Sequence, residues 1–137
     1  MARASKYTAL TKTPVYYCDF DSSFTLNPAT GNLALVTNEN AVIKAIKRLI
    51  LTDKYEALYQ PNRGSKVHAL LFDLNDGMTD DIIKNEIEMT VRNEEPRVDK
   101  FVVKIHPDDD TVVINGFFTM KNIQENFSFN LILKRAR

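Results

Sequence analysis

Residues Glu94-Glu95-Pro96-Arg97 set two carboxylates, a rigid proline and a guanidinium side by side. Paired carboxylates are the working groups of glycoside hydrolysis, but they must face each other across a sugar at about 5 to 9 Å. Neighbours at a helix end point in different directions, and the chain has no Trp to form a sugar platform. A peptidoglycan-degrading, lysozyme-like hydrolase using Glu94 or Glu95 is therefore the weaker alternative. Carboxylates are also disfavoured at a helix C-terminus, where free carbonyls already carry about half a negative charge. Arg97 can fold back and pair with Glu95 inside the domain, or the corner can present its charges to a partner. Composition leaves both open.

No other residues form a catalytic or metal-binding pattern. His68 and His106 lack cysteines or carboxylates at ligand spacing. His68 falls in an apolar stretch, which gives it a packing role. Asp108-Asp109-Asp110 lacks the alternation of a calcium loop and reads as a polar turn. The four glycines are scattered and make no phosphate-binding loop, and Cys18, alone in the chain, excludes an internal disulfide. The expectation is no catalytic residue, no metal and no cofactor.

Three kinds of element must position the Glu-Pro-Arg corner. "TNENAVIKAIKRLIL" has a helical stripe of Val42, Ile46, Leu49 and Ile50, with Thr37 or Asn38 as cap. "KVHALLFD" is a short helix behind Ser65, turning Val67, Leu70 and Leu71 inward. "MTDDIIKNEIEMTVRNEE" is a second long helix, with Thr79 as cap, Ile83, Ile87 and Val91 as its stripe, and Glu88 able to pair with Arg92. Pro96 stops it near Glu94, because the residue before a proline is pushed out of helical geometry.

Period-two alternation then appears three times: Phe101, Val103 and Ile105; Val112, Ile114 and Phe118; and Phe127, Phe129, Leu131 and Leu133. Short links make these an antiparallel meander. Upstream, Asn27-Pro28-Ala29-Thr30-Gly31-Asn32 between two apolar stretches predicts a small hairpin. The expected architecture is α+β: two amphipathic helices and a short helix on a three-stranded antiparallel meander, with a small N-terminal hairpin. Residues 1–18 read as an extended arm and residues 19–137 as one domain.

Acidic and basic residues balance at 18 each. This gives no field toward nucleic acid or a membrane surface. No apolar run approaches the ~18 residues of a membrane span.

The ordered set "DFDSSFTLNPATGNLALV", "AIKRLILTDKYEALYQPNRGSKVHALLFD" and "MTDDIIKNEIEMTVRNEEPRVDKFVVKI" resembles the lysozyme-like, Glu-Pro-Arg baseplate wedge family of contractile tails, which includes a type VI secretion component. The likeness runs from about Asp19 to Leu133. It departs at Asp53, Lys54 and Tyr55, where relatives often carry a glycine and an arginine. The resemblance implies a structural subunit without catalytic activity, present in six copies in a virion tail baseplate assembled in the host bacterial cytoplasm. It implies docking through Glu95, Pro96 and Arg97 onto the core bundle of the wedge proteins, near the tube-proximal baseplate proteins. It also implies an attachment point from which the tail sheath protein starts its assembly. Neither nucleic acid nor membrane is among the expected partners.

Overall fold

The three alternating segments form one antiparallel sheet, in a computed structural model that describes residues 14–72, 77–108 and 110–135. Its strands are Val98–Pro107, Thr111–Met120 and Ile123–Lys134, adjacent in chain order. Ahead of them come two short strands and three helices. In chain order the elements are β1 (Cys18–Phe20), β2 (Leu35–Thr37), α1 (Asn38–Leu51), α2 (Val67–Leu70), α3 (Gly77–Glu94) and the sheet strands β3, β4 and β5. This is the expected α+β arrangement, with β1 and β2 paired as a hairpin. The Asn27–Asn32 turn lies at its far end, closed by Asn27 N–H donating to Asn32 O at 2.7 Å.

Every second residue of the sheet enters the core. Val103, Val112, Ile114, Phe118, Phe129 and Leu133 are buried against Val42, Ile46 and Ile50 of α1 and Ile83, Ile87 and Val91 of α3. Gly116 sits directly between Val103 and Phe129 in the register. A Cβ there would run into the Phe129 ring. The missing side chain is what lets the ring lie flat over the middle strand, in line with Phe101 at 6.3 Å between centroids.

Several local expectations are corrected. Thr37 holds the N-cap position of α1 but makes no side-chain cap bond. Asn38 enters the helix at φ +48 and turns its amide outward. Its Oδ1 accepts from Tyr16 N at 2.9 Å, and its Nδ2 donates to Pro14 O at 3.0 Å. Asparagine tolerates that left-handed backbone better than other residues with a Cβ, and here it fastens residues 14–17 to the domain. Helix α3 begins at Gly77, so Thr79 is a buried residue of its first turn instead of the cap. Ser65 precedes the N-cap residue Lys66, and its hydroxyl links Ile50 O to Val67 N. Glu88 makes no ion pair with Arg92 among the described residues; it accepts from Val103 N at 3.2 Å. His68 is not in the core: its side chain is 64% exposed, because Val67 and Leu71 take the inward positions, and its ring packs edge-on against Phe72 at 5.4 Å between centroids. Residues 1–13 of the expected arm, and Asp109, lie outside the described residues.

The 52–65 connection returns on itself. Ser65 N donates to Thr52 O at 2.9 Å, and Gly64 takes φ +109, where a Cβ would run into that same carbonyl. Lys54, one of the three residues where the resemblance breaks, reaches Glu86 of α3 at 2.8 Å.

The Gly116 contact gives a direct check. Gly116→Ala is expected to destabilise the domain by about 1 to 3 kcal/mol, the usual cost of overpacking a core. Pairing it with Phe129→Leu should recover part of the loss. Urea unfolding reads both, and an unchanged midpoint for the single variant would show that the ring is not held there.

Candidate docking corner

Helix α3 carries its hydrogen bonding one residue past Glu94: Glu95 N donates to Val91 O at 3.0 Å. Pro96 cannot donate, and it turns the chain so that Val98 N reaches Glu95 O at 3.2 Å. The turn puts two side chains of the same strand entry face to face. Arg97 Nε donates to Glu95 Oε1 and Arg97 Nη2 to Glu95 Oε2, each at 2.7 Å. That two-pronged arrangement matches guanidinium to carboxylate geometry and is among the stronger ion-pair contacts. The Glu95 side chain is 5% exposed and that of Arg97 21%.

A third charge arrives from the other end of the sequence. Asp19, on β1, accepts from Arg97 Nη1 at 2.9 Å. The guanidinium also lies over the Tyr17 ring, 5.8 Å from its centroid, and Tyr17 Oη accepts from Asn122 Nδ2 at 2.9 Å. Arg97 O accepts from Lys121 N in the β4–β5 turn. One arginine thus ties α3, β1, β3 and the β4–β5 turn together. Glu95 first, then Asp19, raises the Arg97 pKa above its ordinary value, so the guanidinium stays charged at any working pH.

The two carboxylates of the sequence motif therefore differ. Glu95 is buried, with both carboxylate oxygens engaged by Arg97. Glu94 is half-buried and faces a shallow groove lined by Tyr59, Gln60, Pro61, Asn62 and Arg63. Pro96 is exposed at the apex. With both Glu95 oxygens held by Arg97, the pair lacks the free, opposed acids that glycosidic cleavage needs. His68 Nδ1 lies 3.6 Å from Asp53 Oδ2 on the surface. Among the described residues no three His, Cys, Asp or Glu side chains are grouped to hold a metal.

Sequence reasoning placed Glu95, Pro96 and Arg97 at one corner but assigned no role to Asp19 or Tyr17. Asp19 is 78 residues from Arg97, and no periodicity links positions so far apart.

A family model described as baseplate wedge protein gp25 matches residues 36–117. The baseplate wedge protein gp25 of Enterobacteria phage T4 is 28% identical over 109 residues, which are 76% of this chain and 80% of that protein. Among solved structures, a Geobacter sulfurreducens protein with the provisional name tail lysozyme matches at a TM-score of 0.69 and 19% identity, over 76% of this chain and 96% of its own. A chain in the six-fold symmetrised baseplate of the anti-feeding prophage matches at 0.59 and 19%, over 88% and 87%. One in the type VI secretion baseplate complex matches at 0.59 and 10%, over 72% and 93%. At these identities the structural likenesses speak for the fold alone.

Removing the arginine tests the corner as a structural unit. Arg97→Ala leaves the Glu95 carboxylate buried without a partner and is expected to cost about 3 kcal/mol. Adding Glu95→Gln should return much of that, because the stranded charge is gone. Denaturant unfolding at neutral pH measures both. A loss for Arg97→Ala below ~0.5 kcal/mol would mean that water already serves Glu95.

Proposed function

Because this chain belongs to the baseplate wedge protein gp25 family, we propose that it is a non-catalytic subunit of a contractile-tail baseplate that docks on the core bundle of the wedge through Glu95, Pro96 and Arg97. The observation that carries this reading is the preformed corner, with Pro96 exposed above a buried ion pair. Its side chains are fixed before any partner arrives, so little conformational freedom is lost on docking. Two carboxylates share one guanidinium, leaving a net negative charge that a basic partner complements. In this reading six copies surround the tube, next to the tube-proximal proteins, in a virion baseplate assembled in the bacterial cytoplasm.

The sheath reading rests on the sheet edges. Val103 N points away from β4, toward Glu88, so the N–H groups of Val102 and Phe117 face each other within the sheet. Alternation across β4 then aims the N–H groups of Ser128, Asn130 and Ile132 out of the sheet. Among the described residues these three have no hydrogen-bond partner for the outward N–H. On the opposite side, β3 is packed by α3 and its Val103 donor is occupied. An extended segment of the sheath protein adds on β5 in this account, since strand addition uses backbone groups and tolerates an unlike sequence. The name tail lysozyme, carried by a neighbour at 19% identity, finds no support at this corner, where Arg97 holds both oxygens of Glu95.

Particle assembly tests both parts in one experiment. Pro96→Tyr puts a large ring on the exposed apex without touching the Glu95–Arg97 pair, and it should prevent wedge assembly; Pro96→Ala should permit it. Ser128→Pro removes an outward donor from an edge strand, where proline is tolerated. It should give baseplates and tubes that lack sheath. Normal wedges with Pro96→Tyr would sink the corner reading, and full sheaths with Ser128→Pro would sink addition on β5.

A further inference from the structure

One face of the sheet is covered by α1 and α3, and the other is open among the described residues. An antiparallel sheet with one solvated face normally reads apolar inward and polar outward. This sheet departs from that pattern. On the open face Val102 of β3 stands opposite Phe117 of β4, and Val113 of β4 opposite Ile132 of β5. Because Phe117 and Val113 share β4, the four residues form a diagonal band from β3 to β5. Val102, Phe117 and Ile132 are 52, 43 and 61% exposed. The rung between the two apolar pairs is Lys104, Asn115 and Asn130, in which Asn130 Nδ2 donates to Asn115 Oδ1 at 2.8 Å. Lys104 Nζ leans over the Phe117 ring, 5.7 Å from its centroid.

Exposed Val and Ile alone would reflect strand propensity. The charge separates this face from an ordinary one. The whole chain is balanced, with 18 acids and 18 bases. The rungs of the open face carry Lys100, Lys104 and Lys134 and no Asp or Glu. Asp99 and Glu125 fall where the register breaks, and Asp108 and Asp110 lie in the β3–β4 turn, all off the rungs. None of the three lysines makes an ion pair among the described residues. Cations of one sign around an apolar band complement a surface of the opposite sign.

The same charges exclude the nearest occupants. A second copy on a two-fold axis would set these lysines against themselves. Segments of this chain outside the sheet fit no better: residues 1–13 contain Arg3, Lys6 and Lys12, residues 135–137 two arginines, and neither an Asp or Glu. Single-stranded nucleic acid is gripped by free aromatic faces and arginines. This face has no arginine, and its one phenyl ring already lies under Lys104.

We infer that the open sheet face docks an unlike partner subunit, through a surface on which carboxylates flank an apolar ridge. The ridge lies along Val102, Phe117, Val113 and Ile132. Its carboxylates meet Lys100 and Lys104 on the β3 side and Lys134 at the end of β5. The inference rests on the baseplate reading for where that partner is found, and it is independent of the Glu-Pro-Arg corner.

The test uses particles assembled with the full chain. Acetylation of Lys100, Lys104 and Lys134, all exposed in the free chain, should be largely lost in the intact particle and return when it is dissociated. Carbodiimide joins an amine to a carboxylate in contact with it. It should couple at least one of these lysines to an Asp or Glu of an unlike subunit. Lys104→Glu with Lys134→Glu should lower the yield of complete particles about tenfold or more, because like charges then meet across the interface. Val102→Thr with Ile132→Thr should lower it as well. Thermal unfolding of both free variants should match the wild type, since all four side chains are exposed. Equal acetylation in the free chain and the particle overturns the inference, as does a wild-type yield from either double variant. Coupling only to a second copy of this chain, or protection that nuclease or detergent removes, overturns it too. Protected and coupled lysines together with normal assembly of Pro96→Tyr would keep this face and remove the corner. The reverse, open lysines with Pro96→Tyr blocking assembly, would keep the corner and remove this face.

Discussion

The arrangement of this domain depends on one buried ion pair, Glu95 with Arg97. A carboxylate at the end of α3 is opposed by the helix dipole and by burial together. It is tolerable only because Pro96 turns the chain at once and returns a guanidinium to it within two residues, with both contacts at 2.7 Å. Once that pair exists, the remaining Nη1 of Arg97 has one direction left, and Asp19 occupies it. The hairpin is thereby hung on the corner, and the entry of β3 is fixed relative to α3. Burying such a pair adds little stability over an apolar substitute, so its retention fits a requirement for one geometry more than for strength.

The sheet extends the same asymmetry outward. Glu88 and α3 occupy one edge while β5 offers the other. Gly116 lets the Phe129 ring of that open strand lie flat over β4, which keeps β5 anchored to the core. A strand anchored by its side chains and free along its backbone can accept an added strand without losing its place in the core. Such an edge is also an aggregation hazard, and Lys134 at its end and the polar Ser128 and Asn130 on its outer face moderate it.

Most of this architecture was legible in the sequence because it follows from period. Ile83, Ile87 and Val91 repeat every four residues and are fully buried, and the alternation of Phe127 to Leu133 gives the sheet face directly. The Glu-Pro-Arg corner was legible as an oddity of charge. What the sequence hid were contacts between distant segments: Asp19 to Arg97, Asn38 to Pro14 and Tyr16, and Glu88 to Val103 N. In each case a polar side chain with a familiar local use, as cap or helix-face partner, is drawn to a backbone or charge that only the tertiary fold brings near. The inward side of α2, Val67, Leu70 and Leu71, was legible too, while His68 packs on the surface against Phe72 instead of in the core.

The account stands or falls on whether the corner is already complete before it docks. A map of the assembled baseplate with side-chain detail measures this most directly. The account predicts that Arg97 keeps both contacts to Glu95 and its contact to Asp19, with the partner seated on Pro96 and a basic partner group beside Asp19. An Arg97 swung out onto a partner carboxylate, leaving Glu95 to a partner cation, would contradict it.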